Sequence, residues 1–179
     1  TYMEVVQRVL SGYGQSGVTD HATGGACIPE FLLQYEESDW VFLRRLASHF
    51  GTYLLADATD ACGKVYFGVP EISYGTVLDR QGYTMEKDML HYARVLEKEG
   101  VLSQEASCWN VTVRFFLRMW ETLTFNGIEA VVTAMRLHTE KGELVYSYVL
   151  ARRAGIRREK EKNPGIFGMS IPATVMERS

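Results

Sequence analysis

Residues 121–150 read ETLTFNGIEAVVTAMRLHTEKGELVYSYVL, and this stretch decides the fold. Leu123-Thr124-Phe125 runs into Asn126-Gly127, the strongest short hairpin signal, because both turn residues accept the positive φ of a tight two-residue turn. Ala130 to His138 then reads as a long strand, Glu140-Lys141-Gly142-Glu143 as a second turn, and Leu144 to Leu150 as another strand. Just upstream, Trp109, Val111, Val113 and Phe115 alternate with Asn110, Thr112 and Arg114, the period of two of a half-buried strand. Three or four antiparallel strands in succession predict a meander or small barrel.

Before the strands, Met85, Met89, Tyr92, Ala93 and Leu96 form an apolar stripe that predicts a helix over 85–99, ended by Gly100. Gly75, Asp79 and Gly82 mark a boundary loop. The first part of the chain has a different texture. Tyr2, Val5, Val6, Val9, Leu10 and Tyr13 lie on one face of a helix, and Gly12, Gly14 and Gly17 open a loop to about Ala26. Glu30 to Tyr35, after Pro29, predicts a short strand. Ser38 caps a second helix whose stripe is Phe42, Leu43, Leu46, Ala47 and Phe50. Thr52–Ala56 and Lys64–Val69 predict a hairpin around Asp60-Ala61-Cys62-Gly63, closed by Pro70. The class is α+β: a small α+β domain over 1–80, an antiparallel β-barrel-like domain over 81–160, and a linker with the start of a further domain over 161–179.

Composition sets limits on function. The chain has 179 residues, 46% hydrophobic and 23% charged, so it is neither disordered nor collagenous. No apolar run approaches the ~20 residues of a membrane-spanning helix. The first residues show no basic segment ahead of an apolar core, hence no visible secretory signal. A net charge of −3 lacks the basic balance of a protein built to grip nucleic acid. Cys27, Cys62 and Cys108 are odd in number and widely spaced, which gives the expectation of reduced thiols made in a cytoplasm. The start at Thr1 and the closing Ile-Pro-Ala-Thr-Val-Met, strand-like, lead us to expect a fragment of something longer.

Gly12-Tyr13-Gly14-Gln15-Ser16-Gly17 matches the spacing of a dinucleotide loop, but that mechanism needs a strand before the glycines and a helix after them. Here a predicted helix precedes and a loop follows, so no cofactor is expected. His21, His49, His91 and His138 stand apart, without a second ligand at zinc spacing. Cys108 beside Trp109 sits in a strand with no helix N-terminus to activate it, and Ser107 lacks a nucleophile elbow. Glu36, Glu37 and Asp39 cluster at a strand-to-helix turn, where carboxylates complement the helix dipole; held across a cleft they would suit glycoside hydrolysis. Arg152, Arg153, Arg157, Arg158, Lys160 and Lys162 against Glu159 and Glu161 read as a solvated linker, with phosphate contact as a weaker reading. No catalytic, cofactor or metal residue is assigned.

Four blocks resemble one family. Gln34-Tyr35-Glu36-Glu37-Ser38-Asp39-Trp40-Val41-Phe42-Leu43-Arg44-Arg45-Leu46 is similar to the Y-x-E-[ST]-D-[WF]-x-F-[LI]-x-R-[LM] segment of VgrG and phage late control D proteins, the baseplate hubs of contractile injection systems. Lys64 to Pro70 sits where members carry Y-F-G-[LV]-P. Leu123 to Gly127 with Gly142 to Leu150 resembles the G-D-x-V-x-F-N-G … G-x-L-x-x-x-Y-x-L hairpins, and Gly168 to Val175 the start of the spike-head domain. Met119-Trp120-Glu121 departs from the Gly-Asp of that pattern, so the turn over 118–121 is expected to differ. The family's first barrel and its spike have no counterpart.

The resemblance implies a homotrimer acting as a structural hub between tail tube and central spike, with tube, baseplate proteins and spike tip as partners and no turnover. It implies assembly into a tail or virion-like particle in a bacterium. The alternative is a cell-wall-directed tail hydrolase using Glu36, Glu37 or Asp39.

Overall fold

Thr1 caps the first helix reciprocally: its hydroxyl accepts from the Glu4 amide, and Glu4 accepts from the Thr1 amino group. In the computed structural model, which describes residues 1–14, 17–57, 63–170 and 172, this helix is α1, Tyr2–Leu10. It turns Tyr2, Val6 and Leu10 inward, against Phe42, Leu43, Leu46 and Ala47 of α2, Asp39–Ser48. The predicted Ser38 cap is present, its Oγ accepting from the Val41 amide. Beneath the helices lies a three-stranded sheet. Its central strand β3, Val65–Phe67, pairs in parallel with β1, Val18–Asp20, and antiparallel with β2, Leu54–Ala56. The β2–β3 pairing is the predicted hairpin; Asp60-Ala61-Cys62 lie outside the described residues.

Residues 31–35 do not form the predicted strand. Their carbonyls go to side chains rather than to a sheet: Arg45 donates to Leu33 O at 2.8 Å, and Asn163 to Tyr35 O at 2.7 Å.

The second core is a six-stranded sheet of order β4-β7-β8-β9-β6-β5. The strands are β4, Ile72–Leu78; β5, Tyr83–Lys87; β6, Ser107–Val113; β7, Glu121–Phe125; β8, Ile128–Glu140; and β9, Glu143–Ala151. All pairs are antiparallel except β4 with β7. Both predicted tight turns are there, with positive φ at Asn126, Gly127, Lys141 and Gly142. The predicted boundary loop is replaced in part by β4, which contains Gly75.

The helix expected over 85–99 is also corrected. Residues 83–87 are strand, Met85 facing Trp109 in the pairing with β6. Asp88 then caps a short helix, α3, Met89–His91, continued by a π-turn over Tyr92–Leu96. The apolar stripe spanned two elements because four-residue spacing from Met85 to Met89 crossed the cap.

The expected barrel does not close: β4 and β5 are the ends of an open sheet. The sheet is nevertheless strongly curled. In a flat sheet β6 and β7, three strands apart, would be about 14 Å from each other. The rings of Trp109 and Phe125 on these strands are 5.7 Å apart, and Tyr83 of β5 reaches Phe125 at 5.3 Å. Leu78, Val111, Leu123, Val132, Tyr148 and Leu150 fill the concave side with them.

Candidate functional site

The acidic cluster at the start of α2 resolves into separate structural roles. Glu37 forms a double contact with Arg45, at 3.2 and 2.5 Å, and both side chains are less than a tenth exposed. Asp39 accepts from Gln34 and from the Tyr13 hydroxyl, each at 2.7 Å. Those hydrogen bonds, the Gln34 amide first, hold its carboxyl below the ordinary value, and Asp39 in turn raises the Tyr13 phenol. Glu36, at φ 48°, bonds the Tyr35 hydroxyl and raises its pKa. Each carboxylate oxygen of Glu37 and Asp39 thus has a partner within this chain.

The remaining sequence candidates are scattered. α1 precedes the glycine loop and β1 follows it, an order opposite to that of a dinucleotide site; Gln15 and Ser16 lie outside the described residues. His49 Nδ1 is 3.3 Å from the Tyr2 hydroxyl, and its pKa is lowered by burial and by the charges of Lys160 and Arg45. His21 packs on Tyr66. Cys27 is exposed; the Cys108 thiol is pushed up by burial and by the carboxylates of Glu86 and Asp88, the reverse of activation. Cys62 lies outside the described residues. Among the described residues no three metal-ligating side chains cluster, and no helix is long and apolar enough to cross a membrane.

The basic run is where the structure departs most from the sequence reading. It is a docked strap, not a solvated linker. Arg153 donates to Val69 O, Pro70 O and Thr122 Oγ1 at 3.2, 3.0 and 2.8 Å, joining the connection between the two sheets to β7. Arg152 pairs with Glu105 and Arg157 with Glu99. The Arg158 amide donates to Gly51 O, and its guanidinium lies 5.4 Å over the Tyr53 ring. The Tyr53 hydroxyl donates to Arg157 O, and the Glu161 amide to Ser48 Oγ. Charge composition carried no signal of this, since the partners, backbone carbonyls, hydroxyls and carboxylates alike, lie on residues distant in sequence. Ile156, buried among the cations, was the one legible hint.

The class is an α+β module with a small helix-covered sheet strapped to a curled six-stranded one, and its overall fold is similar to that of solved tail proteins and a secretion-system component. No family model and no curated protein sequence matches the chain. A 43 kDa tail protein of prophage MuSo2 from Shewanella oneidensis aligns over 88% of this chain and 65% of its own, at TM-score 0.62 and 12% identity. An E. coli component of the type VI secretion system, described as structurally similar to the T4 bacteriophage tail proteins gp27 and gp5, aligns over 92% of this chain and 52% of its own, at 0.66 and 15%. A tail protein of Neisseria meningitidis MC58 aligns over 88% and 67%, at 0.57 and 11%. The chain thus spans between about half and two thirds of these proteins' length, and what it shares with them is the fold.

Proposed function

We propose that this chain is a structural component of a contractile injection machine, a phage tail, tailocin or type VI-like system. In it the chain serves as the part of the baseplate hub that joins the tail tube to the central spike. The observation that carries this reading is the fold likeness, which spans 88–92% of the chain and recurs in two tail proteins, one of them from a prophage, and a secretion component. The order of the four sequence blocks supports it independently. On this reading residues 1–80 are the hub's α+β insert, which lends its last strand, β4, to the edge of the next sheet, 81–160 are its second barrel-like domain and 161–179 the approach to the spike. Three copies assemble around the tail axis, in a particle built in a bacterial cytoplasm, and no chemistry is turned over. Completion of the barrel, whose edges β4 and β5 are open in the single chain, belongs to that assembly.

Light scattering across a concentration series tests the assembly: three chains of 20.3 kDa give a species near 61 kDa. A strictly monomeric chain that also fails to co-assemble with tube and spike proteins overturns the hub role. The hydrolase alternative predicts release of fragments from purified peptidoglycan that is lost in Asp39→Asn. We expect no release from the unmodified chain, since the acids of that cluster serve Arg45, Tyr13 and Gln34.

A further inference from the structure

Between the two sheets lies a cavity of about 420 Å³, for which the tail reading gives no use. Its wall is formed by Tyr66 of β3, Tyr74 of β4, Phe116, Arg118 and Trp120 of the connection from β6 to β7, and Met135 of β8. Four aromatic rings and two thioethers, Met135 and the neighbouring Met119, around a volume of this size, with few polar groups, are the lining of a small-ligand pocket. A site where two packed layers meet is a common place for one.

Two observations concern the same turn. Trp120 has φ 66°, the left-handed region that bulky residues seldom adopt, and its amide is fixed by donation to Val132 O at 2.9 Å. Strain of this kind gathers where a side chain must be aimed. This chain accepts the strained conformation and sets an indole in the cavity wall. Second, the turn's acid is already satisfied: Glu121 is buried, with Thr76 Oγ1 and the Arg118 amide as its donors, and not the Arg118 guanidinium. That guanidinium stacks 5.0 Å over Tyr74 and donates to the Tyr74 hydroxyl at 3.2 Å, and it makes no ion pair among the described residues.

We propose that this cavity is a binding site for an apolar, preferably aromatic, group that carries one anionic end, the rings taking the apolar part and Arg118 the charge. A guanidinium already oriented on an aromatic face loses little freedom on meeting a carboxylate or sulfonate. Asp57, which accepts from the Tyr66 hydroxyl at 3.2 Å, lines the same cavity and disfavours a second negative charge.

The test is a titration of the whole chain with anilinonaphthalene sulfonate, followed by ligand fluorescence and by the methyl resonances of methionine. Saturable one-to-one binding that shifts the Met119 and Met135 methyls, and leaves Met3 and Met85 in place, is expected. Arg118→Gln is expected to weaken it about tenfold, and Ala56→Phe, which fills the cavity from β2, to abolish it, with the thermal transition showing both variants folded. Parallel titrations with phenylbutyrate and with a capped peptide holding a glutamate beside a phenylalanine separate a free metabolite-like ligand from a polypeptide segment. Saturation by either supports the site. Binding that ignores both substitutions, or that moves Met3 and Met85 equally, overturns it.

Discussion

Arg45 shows how a residue recognised as part of a motif can owe its place to folding alone. It lies on α2 with under a tenth of its side chain exposed and meets both oxygens of an equally buried Glu37. Removing one partner strands the other's charge away from water, so Arg45→Met is expected to cost about 3–5 kcal/mol, read as a fall in urea midpoint. Asp20, at the end of β1, gives the pH dependence. Burial alone would raise its pKa, but that is outweighed by hydrogen bonds from the Thr23 hydroxyl and the Thr23 and Ala22 amides, and by the nearby His21, so the net shift is downward. A carboxyl lowered on folding contributes stability above its unfolded value, about 3.9, and loses it as pH falls through the folded value. Stability is therefore expected to drop below about pH 4, and thermal melts of Asp20→Asn to show a shallower acid-side loss.

Elements whose reasons are local were legible in the sequence, and those whose reasons are distant were not. α1 and α2 follow from their stripes of Val, Leu and Phe, and α2 also from the Ser38 cap beside it, all within a few residues of the helices concerned. The β7–β8 hairpin follows from Asn126-Gly127, because no other pair of adjacent residues takes two positive φ values so readily. That reading carries a prediction: Gly127, at φ 76°, resists a side chain, and Gly127→Ala is expected to cost about 1–2 kcal/mol by urea unfolding without changing the sheet's far-ultraviolet signature. Residues 31–35 and 83–87 went the other way. Their local signals named the wrong element, because carbonyl partners on Arg45 and Asn163 decided the first, and the edge of β6 decided the second. The Arg118–Trp120 wall of the cavity left one trace, the departure of Met119-Trp120-Glu121 from the Gly-Asp of the pattern, and that trace became intelligible only with the φ of Trp120.

At the scale of the molecule the question is how two cores with separate apolar clusters behave as one body. Each cluster is large enough to have its own melting temperature: one centres on Val6, Leu46 and Phe67, the other on Phe125, Val132 and Leu150. The strap ties them, because Arg153 bonds the segment between the sheets to β7, while Arg158 and Glu161 bond the end of α2 and the loop after it. Hydrogen bonds from a charged donor contribute about 1.5–3 kcal/mol each at most, and the loss of three at one residue is enough to uncouple units of ordinary marginal stability. Differential scanning calorimetry of the unmodified chain is expected to give one transition. Arg153→Gln, which touches neither apolar cluster, is expected to split it into two and to open Arg152, Arg157 and Arg158 to trypsin at temperatures between them. Were the strap only a surface dressing, Arg153→Gln would lower a single transition slightly and leave cleavage unchanged.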